Sequence, residues 1–313
     1  MRLVRTFIDA AAFRGAAVSI GNFDGVHRGH QAMLGTLVDR ARQRGVPSLV
    51  MTFDPHPIQL LAPEKAPPSL MTLQQKADAM APLGIDCLLG YPTREGLLRL
   101  SADEFFERVI RDHLGAAGLV EGPNFHFGNR RGGDVTLLRR LCERDGLFCE
   151  ILQPVDFDGV MVSSSRVRES VAAGRIAEAN HLLGRPYELR GRVVRGDARG
   201  RTLGFPTANL ADVPTLLPPP GVYAGRCAVG SGVGAKTYAA AVHIGGNPTF
   251  GIDESKIEVH LIGFDGDLYD QPLPVRLLGR LRGVRSFDSV DLLTSQLQAD
   301  IAKAAEVASR SSC

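Results

Sequence analysis

Short apolar runs alternate with segments of helical period over the first half of the chain. The runs occupy 17–20, 48–53, 86–89, 118–120 and 147–152. Each of them predicts a buried strand. The residues between the first two runs that recur at the spacing of one helix face are Met33, Leu34, Leu37, Val38 and Ala41. They predict a helix over 31–44 that Gly45 caps. Strands alternating with helices predict a doubly wound, Rossmann-like α/β domain, with a mainly parallel sheet and helices on both faces.

The pattern changes after Pro186, where short β-type runs are separated by Gly, Pro and Asp. These runs occupy 191–196, 222–229, 238–244, 256–262 and 274–281. Such spacing is typical of an antiparallel β-barrel. Apolar residues at helical spacing follow it near the end of the chain, at Val290, Leu293, Leu297 and Ile301. We therefore predict two domains, 1–184 and 185–313, with a short helix over 174–184 at the seam and a final helix against the barrel.

Composition and charge exclude several classes of protein but do not indicate a particular reaction. The 313 residues exceed the usual size of one domain. Lys and Arg number 36 against 34 Asp and Glu, a balance that favours neither nucleic acid nor an anionic membrane as partner. The five cysteines form no CxxC pair, and no apolar run approaches the roughly 18 residues of a membrane span. We expect a cytoplasmic protein.

The first candidate site follows the first predicted strand, at residues 21–30. Gly21, Gly25 and Gly29 allow backbone N–H groups and the helix N-terminus to approach a phosphate. His27 and His30 lie three residues apart at that positive helix end, where two imidazoles can stabilise charge that builds on a phosphate. The alternatives are a metal-binding pair and two surface histidines. The context of strand, glycine turn and helix favours nucleotide phosphate binding, and the segment resembles the HxGH signature of nucleotidylyltransferases.

Three further segments are expected at the same sheet edge. His56 stands between Pro55 and Pro57, which fix the backbone around it, although an ordinary strand exit remains an alternative. Residues 163–168, SSSRVR, open a helix with hydroxyls and two arginines suited to phosphate, or with a simple cap. Residues 122–133 carry aromatics, an amide and glycines that could cover a flat ring or bind Mg²⁺.

The second candidate site lies in the barrel half. Gly196, Gly200 and Gly204 permit tight turns and close backbone approach, as a phosphate cradle requires. Thr207 and Asn209 point to one side if the stretch is extended, and their neutral oxygens suit Mg²⁺. Glu258 lies in an alternating strand and could act as a base in phosphoryl transfer. The alternative for Glu258 is a solvated polar face of an edge strand.

The order of these motifs resembles that of the bacterial bifunctional riboflavin kinase/FAD synthetase family along nearly the whole chain. The matching segments are GNFDGVHRGH, TFDPHP, NFHFGNRRGG and SSSRVR, followed by LGRPYELRG, GRTLGFPTANL, PPPGVYAG, HIGGNPTF, EVHL and DGDLYDQPLPV. The resemblance implies that the C-terminal module phosphorylates riboflavin with ATP to FMN. It implies that the N-terminal module then joins FMN to AMP from a second ATP, giving FAD and pyrophosphate.

The resemblance also implies roles for particular residues. The implied catalytic residues are Glu258, His27 and His30. The implied ATP-binding residues are Gly21, Phe23, Asp24, Gly25, His27, Gly29, His30, Ser164 and Arg168 in the first module and Gly196, Gly200, Thr202, Gly204, Pro206 and Thr207 in the second. The implied flavin-binding residues are His56, Pro57, Asn124, Phe125, Phe127 and Arg285. Thr207 and Asn209 would hold Mg²⁺, and the implied partners are ATP, riboflavin, FMN and FAD, with self-association left open.

The chain departs from the family pattern on the expected flavin side of the kinase module. His243 stands where the family usually has Asn, and Val284 and Ser286 replace the usual Glu and Lys. Pro123 replaces a residue that is often acidic. The changes at Val284 and Ser286 leave open an enzyme that retains only adenylyl transfer. A non-catalytic flavin-binding protein is a separate alternative.

Overall fold

The computed structural model describes residues 1–153, 156–157, 159–196, 200, 204–230, 234–247 and 252–310. Contacts within the chain divide it into two compact units, Met1–Ser164 and Ser165–Cys313.

A six-stranded parallel sheet forms the centre of the first unit. Its strands are β1 (Arg2–Val4), β2 (Ala17–Ile20), β3 (Ser48–Phe53), β4 (Cys87–Tyr91), β5 (Gly118–Glu121) and β6 (Phe148–Ile151). They stand in the order β1-β4-β3-β2-β5-β6, with every pair parallel. The order reverses next to β2, so the loop after β2 lies at the switch point where open α/β sheets bind ligands.

Both faces of this sheet are buried, which explains why its strands are apolar runs rather than alternating ones. Leu49 and Met51 of β3 pack into one hydrophobic cluster with the helical segment at 102–113. Val50, between them, packs into a second cluster with Leu34 and Leu37 of the first long helix. Successive side chains of a strand point to opposite faces, so the two clusters lie on opposite sides of the sheet.

Helices cover the sheet on both sides. They are α1 (Arg28–Arg44), α2 (Pro57–Leu61), α3 (Leu73–Met80), α4 (Glu95–Leu98), α5 (Ala102–Phe105) and α6 (Val135–Arg144), and α5 continues as a π-helix over Phe106–His113. Gly45 ends α1 in the left-handed conformation, at φ 65°. Ser101 and Glu104 form a capping box ahead of α5. A two-stranded ribbon, β7 (Asp156–Phe157) with β8 (Val160–Met161), follows β6.

The second unit is built on a closed antiparallel barrel. Its strands are β9 (Tyr187–Val194), β10 (Ala208–Ala211), β11 (Gly221–Val229), β12 (Lys236–Asn247), β13 (Ile252–Leu261) and β14 (Pro272–Arg282), in the order β10-β13-β12-β11-β14-β9. Leu189 of β9, Val242 of β12 and Val259 of β13 are fully buried. Period-two alternation therefore puts Asn209 and Glu258, each next to a buried strand residue, on the outer face.

In the described part of the chain, the helices that accompany the barrel include α7 (Ser164–Ala172), α8 (Ile176–Leu183) and α9 (Val290–Arg310). Ala304 of α9 packs on Ala224 and Ala241, where small side chains let the helix approach the sheet. Arg282 holds the same helix through Asp300, with Nη2 2.6 Å from Oδ2 and the carboxylate 5% exposed. Asn180 of α8 donates to the carbonyl of Leu277 in β14.

The predicted fold class is confirmed, including the parallel sheet, the barrel and the final helix. Strands β1 and β10 were not predicted as separate strands, and β9 begins four residues earlier than expected. The boundary at 184/185 stays a prediction, because the division into compact units falls at 164/165, ahead of α7 and α8 in the sequence. Among the described residues, none of the helices is long and apolar enough to cross a membrane.

Two candidate phosphate sites

The loop between β2 and α1 is bent by unusual backbone conformations at three of four successive residues. Phe23, Gly25 and Val26 have φ values of 47°, 85° and 39°. Left-handed backbone is costly for a bulky or β-branched residue and persists only where the surroundings impose it. Here they do so by burial, since Phe23 and Val26 are 1% and 0% exposed. The bend turns the chain directly into the first turn of α1, the positive end of the helix.

His27 and His30 are brought into direct contact at this helix end. His27 is the N-cap residue, and its Nδ1 accepts from the backbone N–H of His30 at 3.3 Å. The two rings are stacked with centroids 3.7 Å apart. A side chain at Gly29 would press on the His27 ring at 3.3 Å, which explains the glycine between them. Because Nδ1 accepts, a neutral His27 carries its proton on Nε2 and can donate from there.

Asp24 anchors the same loop rather than projecting freely from it. Its carboxylate, 6% exposed, accepts from the backbone N–H groups of Leu70 and Met71 at 3.1 Å. Its carbonyl oxygen accepts from the hydroxyl of Ser164 at 2.7 Å. Ser164 is therefore held beside the loop, as expected of a residue that opens a helix at this edge. The predicted contact of Asp24 with ATP stays a prediction.

Two side-chain donors that the sequence did not predict bond to another backbone carbonyl of this loop, that of Asn22. Lys76 Nζ and Thr52 Oγ1 donate to the backbone oxygen of Asn22, at 2.6 and 3.2 Å. Lys76 is 9% exposed. A lysine in the middle of an amphipathic helix normally indicates a solvated face, so nothing in the local pattern predicted this contact.

Glu121 is a buried carboxyl at the carboxyl end of β5, also missed because the predicted strand ended at Val120. It is 1% exposed, and its Oε1 accepts from the backbone N–H of Ile20 at 2.7 Å. Burial raises the pKa of Glu121 well above its usual value, and the hydrogen bond from Ile20 opposes this only in part. The available signal in the sequence for a buried carboxyl was an acidic residue directly after Leu119 and Val120, two apolar residues of a predicted buried strand.

Replacing Glu121 by Gln is expected to stabilise the protein at pH 8 and not at pH 5. Folding raises the pKa of this group, so its stabilising contribution is complete below about pH 4.5 and is lost as the pH rises. The amide keeps an oxygen for the Ile20 N–H and cannot ionise. We expect a gain of about 1 kcal/mol or more at pH 8, roughly 2–8 °C in Tm, measured by thermal unfolding at both pH values.

Glu150→Gln is the matched control for this prediction. Glu150 is the register neighbour of Val120, and Arg40 holds the pKa of Glu150 below its usual value. The same substitution there should therefore lower stability at pH 8 and change it less at acidic pH. A Glu121→Gln variant that is less stable than the parent at pH 8 would contradict the assignment.

The two candidate flavin segments of the first unit differ in accessibility. His56 caps α2, with Nδ1 accepting from the backbone N–H of Ile58 at 3.0 Å and Pro57 as the first helical residue. Phe127 is 5% exposed and packs among core rings, while Phe125 is half-buried and stacks on it with centroids 5.5 Å apart. Asn124 is exposed. These side chains stay predictions as flavin contacts, with Phe125 and Asn124 the more accessible.

The second candidate site is on the outer face of the barrel, where β9 turns into β10. A side chain at Gly196 would overlap the amide of Asn209, and one at Gly200 would overlap the carbonyl of Phe205 and approach Thr207 Oγ1 at 3.4 Å. The glycines therefore leave room around the two candidate oxygen ligands. Gly204 has φ 85°. Thr202 lies outside the described residues.

Glu258 stands at the centre of a row of polar residues on three neighbouring strands. It is the register partner of Asn209 in β10 and of His243 in β12. Its Oε2 lies 3.5 Å from Nδ1 of His243, and both side chains are half-buried. His260, two residues further along β13, contacts the carbonyl of Pro206 through Nδ1 at 2.8 Å. The register thus places Asn209 directly beside Glu258, a pairing that the sequence did not predict.

The segment after β14 lies near the same strands. Val284 Cγ2 would be 3.4 Å from a side chain at Gly245, a residue with φ 126°. Arg285 contacts Gln296 of α9 and lies over the ring of Phe287, with Cζ 4.8 Å from the ring centroid. Its role toward flavin stays a prediction.

Comparison with known proteins gives one consistent result. Residues 9–166 match the family model described as FAD synthetase, and residues 183–308 match the model described as riboflavin kinase. A bifunctional riboflavin kinase/FMN adenylyltransferase from Pseudomonas fluorescens is 40% identical, covering 95% of this chain and 94% of that protein. Proteins with the same description from Escherichia coli K12 and Bacillus subtilis 168 are 37% and 34% identical, covering 96% and 91% of this chain and 96% and 90% of those proteins.

A solved structure has the same overall architecture. It is described as a macrolide-efflux protein from Streptococcus pneumoniae, is 32% identical, and covers 96% of each chain with a TM-score of 0.83.

Proposed function

The chain belongs to the family of bifunctional riboflavin kinases/FMN adenylyltransferases, and we propose how its residues carry out the two reactions. The barrel unit phosphorylates riboflavin with ATP to give FMN. The parallel-sheet unit joins FMN to the AMP part of a second ATP and releases pyrophosphate. The observation that carries the proposal is that one chain holds both folds, each with its own glycine-bearing turn beside candidate phosphate ligands.

Adenylyl transfer needs alignment and charge stabilisation, not a covalent enzyme intermediate. An oxygen of the FMN phosphate attacks the α-phosphorus of ATP, the bond from that phosphorus to the β-phosphate oxygen breaks, and pyrophosphate leaves. His27 Nε2–H, His30 and the N-terminus of α1 stabilise the charge that builds during this substitution. The Gly21, Phe23, Gly25 and Gly29 backbone shapes the cradle for the triphosphate, with Asp24 as its anchor.

The remaining contacts of this first site follow from the order of the motifs. Ser164 and Arg168 lie one helical turn apart in α7 and bind phosphate oxygens of ATP. His56, Pro57, Asn124, Phe125 and Phe127 bind FMN. The accessible ring of Phe125, supported from behind by Phe127, suits stacking on the flat isoalloxazine.

Phosphoryl transfer in the barrel needs a base and a held nucleotide. Glu258 accepts the proton of the riboflavin 5′-hydroxyl while the hydroxyl oxygen bonds to the γ-phosphorus of ATP. The bond from that phosphorus to the β-phosphate oxygen breaks, and ADP leaves. Gly196, Gly200, Thr202, Gly204 and Pro206 line the nucleotide phosphates, and Arg285 contributes to the flavin side.

Mg²⁺ fits the residues at this second site. Thr207 and Asn209 offer oxygen atoms, the ligand type that Mg²⁺ takes, and a side chain at Gly196 or Gly200 would crowd them. Mg²⁺ usually takes one or two protein ligands and completes its shell with water and substrate phosphates. When bound, it would neutralise charge on the transferred phosphoryl group. We propose that the two residues hold it there with the nucleotide.

The proposal includes a boundary and a compartment. We keep 184/185 as the functional boundary, since the riboflavin kinase match begins at residue 183 and β9 at Tyr187. The described cysteines, Cys87, Cys142, Cys149 and Cys227, are free thiols, which suits a reducing compartment such as the cytoplasm.

The purified chain is expected to convert riboflavin to FMN and then FAD when given ATP and Mg²⁺. Chromatographic separation of the flavins measures both steps, and supplying FMN alone isolates the second. Excess EDTA should stop FMN formation, and added Mg²⁺ should restore it. FAD from supplied FMN with riboflavin unconverted would indicate an enzyme that retains only adenylyl transfer. Formation of neither product would refute the proposal.

A further inference from the structure

His243 is the residue nearest to the proposed base that sequence motifs left without a role. It lies in β12 directly opposite Glu258 of β13, and Nδ1 is 3.5 Å from Oε2. The exposed fractions of the two side chains are 21% and 25%. The pair is therefore half-buried on the outer face of the barrel.

The immediate strand neighbours of His243 offer its ring nitrogen Nδ1 one polar group. Its register partner in β11 is Val222, and the adjacent positions on the same face of its own strand are Ala241 and Gly245. None of these side chains is polar. Within the described residues, Nδ1 is buried and has no hydrogen bond of ordinary geometry. The remaining polar group in this set of neighbours is the Glu258 carboxylate.

A contact of 3.5 Å is at the outer limit of a hydrogen bond, but catalytic hydrogen bonds often tighten when substrate binds. We propose that His243 is a positioning residue for the kinase reaction: Nδ1–H donates to Glu258 Oε2 and turns Oε1 toward the riboflavin 5′-hydroxyl. The inference rests on the proposed role of Glu258. The hydroxyl proton passes to Glu258, while the proton on Nδ1 stays on the imidazole throughout.

Orientation of a base affects the rate of the chemical step more than substrate affinity. Replacing His243 by Phe keeps a ring of similar size and removes the donor. We expect kcat for riboflavin phosphorylation to fall about tenfold, part of the 10²–10⁴-fold that a general base provides. KM for riboflavin and for ATP should change less than about twofold.

Asn is the conservative replacement, because its Nδ2 stands the same number of bonds from Cα as Nδ1 of histidine and can donate in the same way. His243→Asn is therefore expected to retain kcat within about threefold of the parent. Lys236→Ala, at the exposed far end of the same strand, is the matched control and should behave as the parent. Riboflavin binding, followed by flavin fluorescence, reports that the barrel of each variant is folded, and His243→Ala replaces the Phe variant if that ring disturbs the strand.

The decisive experiment combines these variants with Glu258→Ala in a double-mutant cycle on kcat. If His243 acts through Glu258, its replacement should cause no further loss in the Glu258→Ala background. An equal loss in both backgrounds, a Phe variant with parental kcat, or failure of Asn to rescue would overturn the inference while the base assignment stands. A Glu258→Ala variant with parental kcat would overturn the proposed base, and the role of His243 with it.

Discussion

Replacing Glu258 by Ala is expected to slow formation of FMN severely and to leave formation of FAD from supplied FMN unchanged. The carboxylate stands in register between Asn209 and His243 on the outer face of the barrel. Glu258 is the carboxylate of that row, and His243 beside it is assigned as its hydrogen-bond donor. A positioned general base contributes about 10²–10⁴ in rate, so kcat for riboflavin phosphorylation should fall by at least 10². Separating the flavins after timed incubation measures both reactions.

The control for this experiment is Asp291→Ala, which removes an exposed carboxylate from the first turn of α9. It should leave both reactions unchanged. Loss of both activities in a folded Glu258→Ala protein would contradict the assignment of each reaction to its own unit.

Replacing His30 by Ala is expected to give the reverse result. The imidazole stacks on His27 at the N-terminus of α1, where it can donate to the phosphates of ATP. Removing one preorganised donor of this kind costs about 10²–10³ in rate. The rate of FAD formation from FMN should fall by that factor, while conversion of riboflavin to FMN continues at the parental rate.

His113→Ala is a suitable control for the His30 variant. His113 is exposed at the end of the π-helical segment of the same unit, stacked on Phe7 rather than on a histidine. Its removal should leave FAD formation intact. A His30→Ala protein that forms FAD as fast as the parent would show that the paired imidazoles do not serve the phosphates.

Much of the fold could be predicted because burial patterns are local. Ser48–Phe53 is mostly apolar because it is buried on both faces, and its predicted bounds match those of β3. The helix that ends at Gly45 was also predictable, because its apolar face and its glycine cap both lie within one short stretch of sequence. By contrast, β1 has three residues, and β10, Ala-Asn-Leu-Ala, has no continuous run of large apolar residues. Their places are fixed by pairing with distant strands.

The candidate sites divide in the same way. Glycine turns and the two histidines are local signals, and the structure brings His27 and His30 together as the helix context indicated. The partners of Asp24 lie about 46 residues away in sequence, and Glu121 bonds Ile20 across 101 residues. Such contacts follow from the order of strands in the sheet. The His243–Glu258 contact likewise depends on register, which one strand read alone does not reveal.

The pairing of β9 with β10 has a consequence for how the kinase site can change over time. Val194 and Asn209 are register partners, so both ends of the glycine-rich segment between them are tied to adjacent strands of a closed barrel. Lengthening a loop whose ends are already joined costs little, about 0.6 kcal/mol for each doubling. Insertions in this segment should therefore change the melting temperature of the barrel very little. The segment proposed to bind the nucleotide can differ in length between relatives while the barrel stays equally stable.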